Sequence, residues 1–242
     1  MHLDKAISIS IPLRLRHLNA NSVFSTFLGG FGDLWAATSM FLTMSEIYNE
    51  PVKIACMDER ISIIRPFLFS KGSIIEVNES PDVLIHSHQD TNQIKKLPFR
   101  CPDLVVPWSV VFENRYLPTK NHRWSANHSR RIVTQFIPRY PNSSKCCSNN
   151  DLKLFEDFFK ERNYQTTKLG LPYSIDEILK NMSEAEFFVG VCSGMSHVAH
   201  SVGIPINLIR NGHTLDQISR AHQANECTIF RNMTEFIQNI SF

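Results

Sequence analysis

The chain has 242 residues, 43% of them apolar and 20% charged, and its formal net charge is +2 with the 10 histidines counted as neutral. That composition excludes intrinsic disorder and fibrous repeats, and so small a charge neither demands nor excludes a nucleic-acid partner. No stretch approaches the roughly 18–20 consecutive apolar residues of a membrane span, and Arg14 and Arg16 interrupt the only apolar run near the start, so a cytoplasmic protein without an export signal or a membrane span is expected.

In chain order, strand-like and helix-like stretches alternate. Val23–Leu28 reads as a strand running into Gly29-Gly30-Phe31-Gly32-Asp33, after which Leu34–Tyr48 has helical apolar spacing. Val52–Met57 is a strand, Glu59–Phe69 a helix, and Ser73–Val77, Asp82–His86 and Asp103–Phe112 are extended. The pattern lapses over Glu113–Arg130, which is polar and aromatic. It resumes with strand Arg131–Ile137, loop Pro138–Asn149, helix Asp151–Arg162, strand Thr166–Leu169 and helix Ser174–Met182. Strand Phe187–Val191, helix Met195–Val202, strand Ile206–Arg210, strand Thr228–Arg231 and helix Met233–Ile240 follow. Repeated strand–helix–strand order predicts an α/β protein with parallel sheets. Two Rossmann-like lobes facing a cleft, residues 1–120 and 121–242, are the economical arrangement, with ligands expected at the carboxyl ends of the strands.

Cys56, Cys101, Cys146, Cys147, Cys192 and Cys227 form no Cys-x-x-Cys pair, which predicts reduced thiols rather than a zinc clamp or a disulfide framework. His197 and His200 stand one helical turn apart, but no third ligand lies at a recognisable spacing, and no metal site is expected.

Two turns carry candidate chemistry. Gly29, Gly30 and Gly32 follow a strand and open a helix, yet the stretch is neither G-x-G-x-x-G nor a Walker loop, so a structural corner and a binding turn remain equally open. Asp33 reads either as a helix N-cap or as a carboxylate that takes a proton from an attacking hydroxyl. In the second turn, Ser193, Gly194 and Ser196 begin a helix whose N–H groups and hydroxyls suit a phosphate or diphosphate, with His197 in its first turn. His86-Ser87-His88 reads as a polar strand end. Trp108, Tyr116 and Trp124 read as packing residues, with a sugar or base platform as the other reading.

The stretch VGVCSGMSHVAHSVGIP, Val189–Pro205, closely resembles the donor-site motif of heptosyltransferase-type glycosyltransferases (family nine, GT-B fold). Val189, Gly190, Ser193, Gly194, His197, Ala199, Gly203 and Pro205 match that motif, and Cys192 stands where it has an acidic residue. Gly32-Asp33 before an amphipathic helix resembles the N-terminal element of the same family. The resemblance implies a metal-independent, inverting transfer from a nucleoside-diphosphate sugar to a hydroxyl acceptor on a glycan, a protein or a modified base, with no further cofactor. It makes Asp33 the candidate general base and Gly29, Gly30 and Gly32 the acceptor-side loop. Ser193, Gly194, Met195, Ser196 and His197 become the diphosphate-binding group, with a cation expected from Arg139 or Lys145. A nucleotide-sugar-binding module without catalysis, and a nucleotide-sugar hydrolase or epimerase, are the competing expectations.

Overall fold

A computed structural model describes the backbone of residues 22–26, 52–56, 74–76, 82–86 and 104–107 in the first half, with Trp35 and Asn49. In the second half it describes Trp124, Ser125 and residues 129–137, 146–170, 173–212, 215 and 227–240. The chain divides into two compact units, Met1–Thr119 and Lys120–Phe242.

The first unit holds a five-stranded sheet: β1 (Ser22–Thr26), β2 (Val52–Cys56), β3 (Ile74–Glu76), β4 (Val83–His86) and β5 (Leu104–Pro107). Its spatial order is β3-β2-β1-β4-β5 and every pairing is parallel. The chain therefore winds outward from β1 in one direction, then returns to build the other half, so the order reverses between β1 and β4. Thr26 and His86, the last residues of those two strands, are register partners. The described strand runs to Pro107, and the rest of the extended run expected to Phe112 lies outside the described residues. Trp35 is helical and fully buried; the rest of the two helices expected in this unit lies outside the described residues.

The second unit holds β6 (Arg131–Gln135), β7 (Gln165–Lys168), β8 (Phe187–Gly190), β9 (Ile206–Ile209) and β10 (Cys227–Phe230), again all parallel, in the order β10-β9-β8-β6-β7. Burial follows that order. The inner strands β6, β8 and β9 are largely buried, whereas the edge strand β7 is exposed along most of its length. A strand covered by helices on both faces must be apolar on both, which is why Ile132-Val133 and Phe188-Val189 are unbroken apolar pairs.

Its helices are α1 (Asn149–Lys160), α2 (Ile175–Glu184), α3 (Gly194–Val202) and α4 (Met233–Asn239). With the right-handed crossovers usual between parallel strands, α1 lies on one face of the sheet and α2 and α3 on the other. Accordingly α1 packs with α4, and α2 with α3. The α1/α4 face is an aromatic core. Phe155 lies 4.9 Å from Phe136 and 4.6 Å from Phe159, and Phe236 lies 5.2 Å from Phe230, ring centroid to centroid. Phe155 and Phe159 share a helix face because they are four residues apart.

Local chemistry sets the helix starts. Ser148 and Asp151 close a capping box on α1: the Ser148 N–H donates to Asp151 Oδ2 at 2.9 Å, and the Asp151 N–H donates to Ser148 Oγ at 3.1 Å. Ser174 and Glu177 do the same for α2 at 2.8 and 3.3 Å. Asn232 Oδ1 caps α4 by accepting from the Glu235 N–H at 2.9 Å. Helix α3 ends at Gly203, whose φ of 85° is the left-handed conformation that a glycine adopts without strain.

Trp124 belongs to the packing of this unit. Its backbone N–H donates to the Val202 carbonyl at 3.0 Å and its Nε1–H to the Ala185 carbonyl at 2.8 Å. Those carbonyls lie at the C-terminus of α3 and just before β8, the amino edge of the sheet. Ligands of such folds bind at the opposite edge. Trp108 and Tyr116 lie outside the described residues. No helix among the described residues is long and apolar enough to cross a membrane.

Candidate functional site

The order of the second sheet reverses between β6 and β8: from β6 the chain goes outward to β7, then back past β6 to β8 and on to β9 and β10. Helices leaving the carboxyl ends of β6 and β8 go to opposite faces, so a crevice opens between them. This is where ligands enter open α/β sheets.

Helix α3 begins at that crevice. Strand β8 ends at Gly190, held against β6 by the Val191 N–H donating to the Gln135 carbonyl at 3.0 Å. Only a glycine fits there, since a Cβ on Gly190 would stand 2.5 Å from the Gln135 carbonyl oxygen and 2.8 Å from the Phe188 ring. The close approach lets the chain turn at once into Ser193, the extended N-cap residue of α3.

The cap of α3 pairs two serines, where those of α1 and α2 pair a serine with a carboxylate. Ser193 Oγ donates to Gln135 Oε1 at the end of β6, so the hydroxyl spans the crevice. Ser196 also closes the turn: its Oγ accepts from the Ser193 N–H at 3.1 Å and donates to the Ser193 carbonyl at 2.6 Å. Ser196 is fully buried and Met195 nearly so. The backbone N–H groups of Gly194 and Met195 have no hydrogen-bond partner among the described residues.

Charge follows the same pattern. The first turns of α1, α2 and α4 carry Asp151, Asp176 with Glu177, and Glu235, whereas that of α3 carries no acidic residue. The positive end of the α3 dipole is thus not neutralised from within its own first turn, which favours an anion at that point. His197, half-buried in this first turn, adds a ring nitrogen that can donate to the anion.

Two further residues, at or just past the carboxyl ends of their strands, make contacts that sequence patterns leave unmarked. Gln135 is one; a polar residue ending an otherwise apolar strand is its only signal. Asn211, just beyond β9, is the other. Its Nδ2 donates to the Cys146 carbonyl at 2.9 Å and to Cys147 Sγ at 3.4 Å. Together with the Cys147 N–H donating to the Phe136 carbonyl at 3.4 Å, this pins the two ends of the segment between Phe136 and Cys147. Burial is the main force pushing the Cys147 thiol up to about 11, so it is not a nucleophile at neutral pH.

The structure thus brings Ser193, Gly194, Met195, Ser196 and His197 to one helix end. Asp33, Gly29, Gly30, Gly32, Arg139 and Lys145 lie outside the described residues. Among the described residues, no group of three or more His, Cys, Asp or Glu is placed to hold a metal ion.

No protein-family model matches the chain, and no curated protein matches it in sequence. In structure it is similar to the dodecameric iron-containing heptosyltransferase TibC, solved in complex with ADP-D-beta-D-heptose. The TM-score is 0.50 and the identity 12%, over 88% of this chain and 63% of that one. A second structure, the dodecameric iron-containing glycosyltransferase TibC from enterotoxigenic E. coli, gives a TM-score of 0.49 and 13% identity over the same shares. The chain therefore spans 63% of the length of the protein it matches, and the likeness is one of fold: a glycosyltransferase-like α/β architecture.

Proposed function

We propose that the protein is a glycosyltransferase that binds a nucleoside-diphosphate sugar at the head of α3 and moves the sugar to a hydroxyl acceptor, with inversion and without a metal ion. The observation that carries this reading is the start of α3 at the sheet's switch point, with the Gly194 and Met195 N–H groups unpartnered among the described residues and no acidic residue in its first turn. A diphosphate is the ligand such a helix end suits. The fold likeness to a protein solved with ADP-D-beta-D-heptose supports a nucleotide sugar as the donor.

In this reading residues 1–120 form the acceptor lobe and 121–242 the donor lobe of a GT-B-type enzyme. Asp33 takes the proton of the acceptor hydroxyl, whose oxygen bonds to the anomeric carbon as the bond from that carbon to the phosphate oxygen breaks. Negative charge grows on the departing diphosphate. The Gly194 and Met195 N–H groups, His197, and a cation from Arg139 or Lys145 stabilise it there.

The loss of the motif's acidic residue to Cys192 favours one second reading, a module that binds nucleotide sugars without turning them over. A thermal-shift screen with ADP-, GDP-, UDP-, CMP- and dTDP-sugars, followed by acceptor-dependent release of the nucleotide, separates the two. A ligand at 100 times its Kd raises stability by about 2.7 kcal/mol. Binding with transfer supports the enzyme, binding without any turnover supports the module, and no shift with any donor overturns both.

A further inference from the structure

The Ser193–Gln135 hydrogen bond does more than bridge the crevice; it orients an amide. A glutamine side chain has an acceptor end and a donor end, and here Ser193 Oγ donates to the acceptor end. With Oε1 accepting from Ser193 Oγ, the Nε2 amide group is held beside it, at the N-cap of α3. Gln135 is half-buried, and among the described residues its Nε2 has no partner. Its main chain cannot drift, because its carbonyl accepts from the Val191 N–H and lies against Gly190.

We propose that Gln135 is a binding residue of this site, donating from Nε2 to a phosphate oxygen of the nucleotide sugar held at the head of α3. The inference rests on the reading of α3 as the diphosphate site and adds the opposite wall of the crevice to it. The anion is then held from two strands at once: by backbone N–H groups following β8 and by a neutral side-chain donor ending β6. A neutral donor suits a product that must leave, since a hydrogen bond from an amide holds a diphosphate less tightly than an ion pair does.

Gln135→Glu is the discriminating variant. A carboxylate keeps the shape and the acceptor for Ser193 Oγ, so a purely structural role is preserved, but it replaces the donor with a charge that repels phosphate. Titration calorimetry with ADP, GDP, UDP and inorganic pyrophosphate measures the effect, with thermal melts of the unliganded proteins alongside. The expected result is an unliganded melting temperature like that of wild type and at least a tenfold weaker Kd for the tightest of these probes. Gln135→Met, which fills the same volume without donor or charge, is expected to weaken binding about threefold to tenfold and covers the case in which the carboxylate unfolds the unit. Wild-type affinity in either folded variant overturns the role of Gln135 and leaves the α3 site standing. Failure of wild type to bind any of the probes removes the α3 site, and Gln135 with it.

Discussion

The Gln135 carbonyl oxygen and the Cα of Gly190 are so close that a single methyl group does not fit between strands β6 and β8 at their carboxyl ends. The first atom in the way of a Gly190→Ala side chain is backbone, so the strand pair itself must shift. We expect a loss of about 1–3 kcal/mol, read by urea unfolding. The same shift displaces Ser193, so nucleotide binding should weaken even at temperatures where the variant remains folded.

His197 stands in the first turn of α3, and the cap hydrogen bonds between Ser193 and Ser196 do not use its side chain. His197→Ala should weaken binding of the best nucleotide sugar by about tenfold, the worth of one hydrogen bond to a charged group, with melts of the unliganded variant measuring what the ring contributes to the fold. An undiminished ligand-induced shift in the thermal screen would remove His197 from the site.

Phe155 is the centre of the aromatic core, touching Phe136, Phe159 and Phe236. Phe155→Ala should cost about 3–5 kcal/mol by chemical denaturation. Because Phe136 follows Gln135 directly, loosening this cluster should also weaken nucleotide binding.

Two titrations act on stability in opposite directions. Hydrogen bonds from the Ser174 backbone and then from its hydroxyl hold the exposed Glu177 carboxyl below its ordinary value. Its contribution is present above the unfolded-state value and lost as pH falls through the lowered one. Glu177→Ala should therefore lower the melting temperature at pH 7 and match wild type in strong acid.

Cys147 runs the other way: burial pushes its thiol from 9.0 to about 11. Its contribution is full below pH 9 and is lost as pH rises through 11. Melts of Cys147→Ala and wild type should converge over that window, and iodoacetamide at pH 8 should label Cys147 only after unfolding. Rapid labelling of the native protein at this position would contradict the burial argument.

Among the described residues, element existence was legible because each element depends on short-range chemistry. Ser148 with Asp151 and Ser174 with Glu177 announce helix starts, and the apolar runs around Ile132 and Phe188 announce strands covered on both faces. The boundaries moved by a residue or two where a cap decided them: Ser148 starts α1 at Asn149 rather than Asp151, and Ser174 caps α2 from outside it. The Ser193–His197 turn was legible as a strand-to-helix corner for the same reason. Trp124 shows the limit. Its packing and ligand-platform readings are identical in sequence, and only the acceptors it finds, the carbonyls of Val202 and Ala185, decide between them.

The sequence by itself determined that this is an α/β protein of alternating strands and helices, and that a helix rich in small residues opens at Ser193. Both follow from periodicity, capping and turn chemistry acting over a few residues. Only the tertiary structure decided that β8 lies beside β6 rather than beside β7. Strand order depends on packing between segments more than 50 residues apart, and no local pattern encodes it. That one adjacency places Gln135 against Gly190 and Ser193 and makes a helix end into one wall of a crevice.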